Sequence, residues 1–274
     1  MHPTFVQIFS MGAFKSVFIS LFVAFLFFHA TTSIVGFVNN DTHVDWLASL
    51  LAAGIPLFYF LYIYVWRPAE VRTFLLIVTS FTTASLMIVL GYKLFETPDS
   101  SYPLIGSAIS LLGWILYTAW YAKLSRRPLR ATDLSSLTEK FLLNSRGQSV
   151  NPLEDAHKYR LFILHRGAWC PMCVAQVKSM AKAYSAVSDM DVQLNFISPQ
   201  QPSLEERVAA KFNFPGNFLQ DTDLRFAKSL GLKHDFGLPF GFQVLGFKTD
   251  TILPTVILTN REGLILHTHQ TDDY

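Results

Sequence analysis

The chain has 274 residues, of which 51% are hydrophobic, 15% aromatic and only 15% charged, with a mean hydropathy of +0.31; that balance is too apolar for an ordinary soluble enzyme and places part of the chain in lipid. A formal net charge of +2 without a basic stripe excludes nucleic acid as a partner. The two cysteines cannot build the multi-bridge framework of a small secreted domain, so their value lies in reactivity or ligation.

Four stretches free of Asp, Glu, Lys and Arg are each long enough to cross a bilayer: 16–38, 46–66, 73–92 and 101–122. They predict four membrane helices, with Trp46, Trp66, Tyr92, Tyr102, Trp120 and Tyr121 at or near their ends, where amphipathic rings favour the headgroup layer. The first is too long in its apolar part for a signal peptide, no small-x-small cleavage site follows it, and it is expected to stay attached. Lys15, Arg67, Arg72, Lys123, Arg126, Arg127 and Arg130 fall on one side of these spans and only Lys93 on the other. Positive loops tend to stay inside, which predicts a multi-pass integral membrane protein with both termini and its C-terminal domain in the cytoplasm. The sequon Asn40-Asp41-Thr42 falls in a short outer loop close to lipid and is read as chance. His29, with Thr31, Thr32 and Ser33, lies in or near the end of the first span; an intramembrane histidine marks either a functional site or an interhelical hydrogen bond, and both readings stand at this point.

Past the fourth span, SRRPLRATD turns the composition from apolar to basic and polar. It divides the chain into a transmembrane region over 1–123, a juxtamembrane linker over 124–150 and a soluble domain over 151–274. The basic run serves as a stop-transfer flank or touches anionic membrane lipid. Within the linker, Leu134, Leu137, Phe141 and Leu142 fall on one side of a short amphipathic helix over 133–143, with Thr132 or Asp133 as its cap. The pattern then alternates: YRLFILHR as a buried strand, CPMCVAQVKSMAKAYSAV as a helix, VQLNFIS as a strand, SLEERVAAKF as a helix, then NFLQD, a helix in DLRFAKSLGL, a Gly- and Phe-rich insertion over 236–248 and the hairpin TVILTNREGLILHTH. Alternation closed by a hairpin predicts an α/β sandwich on a mixed sheet.

In Cys170-Pro171-Met172-Cys173 the first cysteine sits where a strand passes into a helix, so unpaired backbone N–H groups and the helix dipole stabilise its thiolate. Cys170 is the expected nucleophile. Cys173, one turn on, is close enough to resolve a mixed disulfide formed there, and Pro171 suits a first helical turn in which its missing N–H costs nothing. The competing readings are two chance neighbours in a core, or half of a zinc site that lacks its second cysteine pair.

RGAWCPMC, FLQDTDLRFAKSLGL and the LPTVILTNREG hairpin together resemble the peroxiredoxin-like branch of the alkyl hydroperoxide reductase and thiol-specific antioxidant family, over roughly residues 150 to 274. The resemblance implies a thioredoxin fold with Cys170 as peroxidatic or nucleophilic cysteine and Cys173 as its resolving partner. The expected architecture is therefore an α-helical membrane bundle followed by an α/β thioredoxin-like domain. Thioredoxin folds place a cis-proline opposite the cysteine motif, which is the role expected of Pro254, although a proline opening a strand also marks a sheet edge. Trp169, Pro171, Pro254 and Arg166 would then meet substrate. Where a typical peroxiredoxin carries Thr or Ser three residues before its cysteine, this chain has Gly167. Peroxide turnover that is slow or dependent on a partner, beside ordinary thiol–disulfide exchange, is the expectation, and Gly167→Thr is expected to raise the peroxide rate where the backbone accepts it. Arg166 either lies near the thiolate or points to solvent. A thioredoxin fold customarily adds a last helix after this hairpin; in its place the helix over 133–143 covers that face, or the sheet is less protected.

The implied activity is a membrane-anchored thiol oxidoreductase. Its partners are a thiol or disulfide protein or a low-molecular-weight thiol, with peroxide as a second oxidant and membrane lipid around the spans; no cofactor and no metal is required. Two other classes compete. His267 and His269 alternate on the last strand; they are solvent-exposed, or one joins the two thiolates in a copper-binding thioredoxin-like module. The membrane bundle is an anchor, or holds a quinone or haem that exchanges electrons with the soluble domain. His165, ending the strand before the cysteines, caps the sheet edge or tunes the thiolate.

Overall fold

The computed structural model describes residues 11–39, 43–68, 70–95, 100–135, 142–154, 156–187, 190–201, 206–207, 210 and 216–271. The chain divides into two compact units, Val17–Lys123 and Met1–Ser16 with Leu124–Tyr274. The sequon and most of the helix expected in SLEERVAAKF lie outside the described residues.

Helices α1 (Met11–Asn39), α2 (His43–Trp66), α3 (Arg72–Phe95) and α4 (Tyr102–Leu116) account for the four apolar runs. A π-helical turn, Tyr117–Tyr121, extends α4, and with it all four are long and apolar enough to cross a membrane. Lipid offers the backbone no hydrogen-bond partner, so a helix, which satisfies its own, is the form such runs take. On α4, Gly106 and Gly113 stand two turns apart and face His29 and Phe22, two turns apart on α1. A Cβ at either glycine would overlap the opposing ring, so the missing side chains let the helices close. Tyr59, Phe60, Trp114 and Tyr117 fill the interior with ring centroids 5.0 to 6.3 Å apart. His29 Nε2 and Ser49 Oγ share a hydrogen bond at 2.8 Å and the Ser33 and Ser49 hydroxyls another at 3.1 Å, so His29 is an interhelical tie between α1 and α2.

The second unit is an α/β thioredoxin-like domain on a mixed sheet. In chain order it contains β1 (Leu142–Leu143), β2 (Ser149–Val150), β3 (Tyr159–Leu164), α5 (Pro171–Val187), β4 (Val192–Ser198), β5 (Asn217–Gln220), α6 (Arg225–Ser229), β6 (Lys233–His234), β7 (Thr251–Ile252), β8 (Thr255–Asn260) and β9 (Ile265–Gln270). The seven-stranded sheet runs β2-β1-β5-β4-β3-β8-β9. Strands β3, β4 and β5 are parallel, and β8 lies antiparallel to β3, in register from Tyr159 opposite Asn260 to Leu164 opposite Thr255. Successive side chains of a strand point to opposite faces. Phe162 and Leu164 of β3 accordingly join Ile197, Leu219, Phe226, Leu230 and Ile257 on one face, while Ile163 joins Leu194, Phe196 and Phe218 beneath Val177 of α5 on the other. Each fully buried Phe or Leu contributes about 1.5–3 kcal/mol.

Arg160 of β3 is wholly buried, and backbone carbonyls receive its guanidinium. Its guanidinium donates from Nε to Pro152 O, from Nη1 to Arg261 O and from Nη2 to Leu153 O, each at 2.9 Å, tying two turns to the central strand. A charge taken out of water persists only where its donors are met in this way.

The amphipathic helix expected over 133–143 is corrected at both of its described ends. Asp133 bridges antiparallel to Leu264, Leu134 N–H donates to Gly263 O at 2.9 Å, and Leu142–Leu143 form β1, with Leu143 opposite Gln220 of β5; residues 136–141 lie outside the described set. Extended chain wins there because both ends meet unpaired strand edges, and Leu134 and Leu142 still reach the core. The segment before them forms a strap along β9: Arg127 N–H donates to Gln270 Oε1 at 2.8 Å and Ile265 N–H to Thr132 O at 3.0 Å. The insertion over 236–248 contains one turn of 3-10 helix, Phe242–Leu245, and stands on the antiparallel β6–β7 ribbon, which the sequence pattern did not reveal.

Candidate active site

The cysteines sit at the carboxyl ends of the parallel strands, where an α/β sheet opens a crevice. β3 ends at Leu164, His165 N–H donates to Ile197 O of β4 at 2.9 Å, and the chain turns through Gly167 into α5. Gly167 adopts φ +118, a conformation side-chain-bearing residues rarely take. Cys170 N–H donates to Gly167 O at 3.1 Å and Val174 N–H to Cys170 O at 3.2 Å, which makes Cys170 the residue capping α5. Pro171 is the first residue of that helix, as expected.

Both thiols are free and shielded, at 4% and 5% exposure for Cys170 and Cys173. They are electrostatically unlike. The Cys170 thiol is pulled down to about 6, first by a hydrogen bond from the Cys173 thiol and then, against burial, by the Arg166 charge, the Cys173 backbone N–H and His165. Cys173 is pushed well above the usual thiol range by that shared hydrogen bond, by burial and by the negative charge on Cys170. One proton therefore rests on Cys173 while Cys170 holds the charge, with the Cys173 N–H pointing at its sulfur as backbone donors do at a helix cap.

Arg166 is buried, and its guanidinium carbon lies 4.6 Å from the centroid of the Trp169 ring, so of its two sequence readings the one near the thiolate holds. Trp169, half-buried, meets the edge of Phe242 with centroids 6.0 Å apart. His165 does not cap a sheet edge, because β3 lies between β4 and β8; its Nδ1 accepts the Gly167 N–H at 3.2 Å and so fixes the turn before the cysteines. Pro254 reaches the same end of the sheet through the Leu164–Thr255 register, but the Leu253–Pro254 bond is trans, not the cis form expected. The chain stays extended from β7 into β8, with Leu253 N–H donating to Leu232 O at 2.9 Å, and a trans bond preserves that course. His267 and His269 are exposed on β9, and among the described residues no group of three or more His, Cys, Asp or Glu is placed to hold a metal ion.

Two site residues escaped the sequence. Gln200, two residues past β4, accepts the Ala168 N–H at 2.9 Å through Oε1 and lies against Gly167. Its signal was its place just beyond a parallel strand, where polar groups converge on ligands. Phe242 carried no signal beyond the richness of its segment in Phe and Gly. A groove of about 530 Å³ lies elsewhere, lined by Arg126, Arg127 and Leu129 of the strap and by Thr268 and His269 of β9, and no residue of the cysteine site lines it.

Residues 130–274 match the family model described as Redoxin. No curated protein matches the chain. Solved structures similar to it include the bacterioferritin comigratory protein of Xanthomonas campestris, studied for alkyl peroxide reduction (11% identity, TM-score 0.42, 54% of this chain and 87% of that one). Others are peroxidoxin BcpB of Mycobacterium tuberculosis (13%, 0.39, 47% and 79%) and reduced Prx3 of Vibrio vulnificus in complex with hydrogen peroxide (18%, 0.41, 48% and 83%).

Proposed function

The chain belongs to the Redoxin family, and on that premise we propose that it is a membrane-anchored thiol-dependent oxidoreductase that works through Cys170 and Cys173. The observation that carries the reading is the unequal pair: a thiolate at the head of α5 beside a thiol that keeps its proton. In disulfide exchange the Cys170 thiolate attacks one sulfur of the substrate, the substrate S–S bond breaks and one thiol leaves after taking a proton; Cys173 then attacks Cys170, releasing the second thiol and closing a Cys170–Cys173 disulfide. With a peroxide, the thiolate attacks oxygen, the O–O bond breaks and the leaving oxygen takes a proton; the Cys170 sulfenic acid then condenses with Cys173 and releases water. Either disulfide is reopened by a protein dithiol or by two molecules of a low-molecular-weight thiol, which carry away two electrons' worth of oxidation. Arg166 and Trp169 form the wall beside the thiolate, and Pro171 and Pro254 present backbone at the same end of the sheet. Purified, reduced full-length protein should be oxidised by hydrogen peroxide, by an organic hydroperoxide or by a small disulfide much faster than its Cys170→Ser variant. Equal rates for the two proteins with all three oxidants would sink the reading.

The four spans are the anchor. Because they return the chain to its starting side, and Lys123, Arg126, Arg127 and Arg130 flank the last of them, the redox domain belongs in the cytoplasm, where its cysteines rest reduced and are oxidised only in passing. A chain lacking both native cysteines and carrying one at the exposed position of Arg146 (Arg146→Cys) should escape a membrane-impermeant maleimide in intact cells and react once the membrane is opened. Labelling of intact cells would put the domain outside.

A further inference from the structure

Gln200 is placed by its neighbours. Its backbone N–H donates to Ser198 Oγ at 3.2 Å, and Gln220 Nε2 donates to the adjoining Pro199 O at 3.3 Å, so the residue follows β4 on a tethered turn. The side chain then crosses to the loop after β3. Oε1 accepts the Ala168 N–H, and Cγ, Cδ and Oε1 are the atoms a Cβ on Gly167 would strike. That hydrogen bond fixes which end of the carboxamide is which, because only the oxygen can accept a backbone N–H. The other end, Nε2, is sealed from solvent and meets no acceptor among the described residues. A buried donor left unpaired is costly and rare, and this one lies against the Gly167–Ala168 loop that leads directly into Cys170, where a ligand would supply its partner.

We propose that Gln200 Nε2 binds and polarises the oxygen of a peroxide over Cys170. The inference rests on the thiol-oxidoreductase reading above and adds to it a residue that acts on one of its two kinds of oxidant. A carboxamide donor discriminates between the two kinds of oxidant: a peroxide offers oxygen lone pairs that gain negative charge as the O–O bond breaks, whereas a disulfide offers only sulfur, a weak acceptor. In the step it assists, the thiolate sulfur forms a bond to one peroxide oxygen, the O–O bond breaks, and the departing oxygen, held by Nε2–H, takes up a proton as water or alcohol. Donor and sulfur are both shielded, a setting for an oxidant of a few atoms.

The test is single-turnover oxidation of the reduced, detergent-solubilised full chain by hydrogen peroxide and, separately, by 4,4'-dithiodipyridine, in wild type, Gln200→Met and Gln200→Glu. Met keeps the length and removes the amide; Glu keeps the oxygen that Ala168 needs and removes the donor. The peroxide rate should fall about tenfold in both variants, the worth of one neutral hydrogen bond, while the disulfide rate stays within about twofold of wild type. A parallel fall with both oxidants would reduce Gln200 to a support for the loop and overturn the proposal, as would unchanged rates with either variant that folds. A wild-type protein that reacts with the disulfide but consumes peroxide no faster than a free thiol of matched pKa overturns the peroxide role while leaving thiol exchange standing. A wild type inert to both oxidants removes the functional reading itself.

Discussion

Cys173→Ser is expected to abolish turnover while leaving the first oxidation of Cys170 nearly intact, and to accumulate a mixed disulfide between Cys170 and its thiol partner. The serine hydroxyl takes the place of the thiol as donor to Cys170, so the main cause of the low thiolate pKa survives, whereas the second attack has no sulfur to make it. Cys170→Ser removes the nucleophile and should lower the rate by roughly a thousandfold or more with every oxidant. Alkylation separates the two roles by pH. An acid group whose pKa is depressed is charged above that pKa, so labelling of Cys170 should be near its plateau at neutral pH and fall as pH drops through about 6. Cys173 should label only in the alkaline range, since its thiol is held up. Mass spectrometry of the labelled chain reads both; preferential labelling of Cys173 at neutral pH would exchange the assignments.

Gly167→Thr should impair the protein, the reverse of the gain in peroxide rate expected from sequence. At φ +118 a Cβ is strained, at about 1–3 kcal/mol for the backbone alone. That first atom already strikes the Gln200 carboxamide, so the hydroxyl would arrive by expelling the group that holds Ala168 in place. Thermal unfolding of the solubilised chain should begin several degrees lower and peroxide oxidation should fall at least as far as in Gln200→Met. Gly167→Ala isolates the collision from the hydroxyl, and should show most of the loss. A fully stable Gly167→Ala protein with wild-type rates would mean that Gln200 does not occupy this volume in solution.

What could be read from the chain alone follows from how local each cause is. The four long apolar helices were legible because each run is uninterrupted by charge, and the expected bounds lie within a few residues of α1 to α4. β3, β4 and the β8–β9 hairpin were legible from apolar runs and turn residues, as was the position of Cys170 between a strand and a helix. The error over 133–143 had a nonlocal cause: Leu134, Leu137, Phe141 and Leu142 space well for a helix, but the flanking residues are claimed by the edges of β5 and β9, which the local pattern does not contain. His165 was misplaced for the same reason, since whether a strand is central depends on the order of the whole sheet. Gln200 needed two facts that sequence spacing does not carry: the parallel pairing of β3 with β4, and the left-handed turn at Gly167 that admits a foreign side chain.

The strap along β9 also sets an order of events during synthesis. The ribosome delivers Arg127 long before Gln270, and 143 positions separate these two hydrogen-bonded residues. Until β9 emerges, the Arg127 N–H and the Thr132 C=O lack the partners that β9 brings, and once β9 pairs with β8 its outer edge stays bare unless the strap is already there to receive it. The polypeptide that follows α4 thus acts as a waiting template, and the sheet is sealed only when the far end of the chain arrives. A chain severed after residue 134 would lack the strap and finish with that edge open to a neighbouring copy, so loss of the segment before β1 and loss of protection against strand-to-strand aggregation are one event.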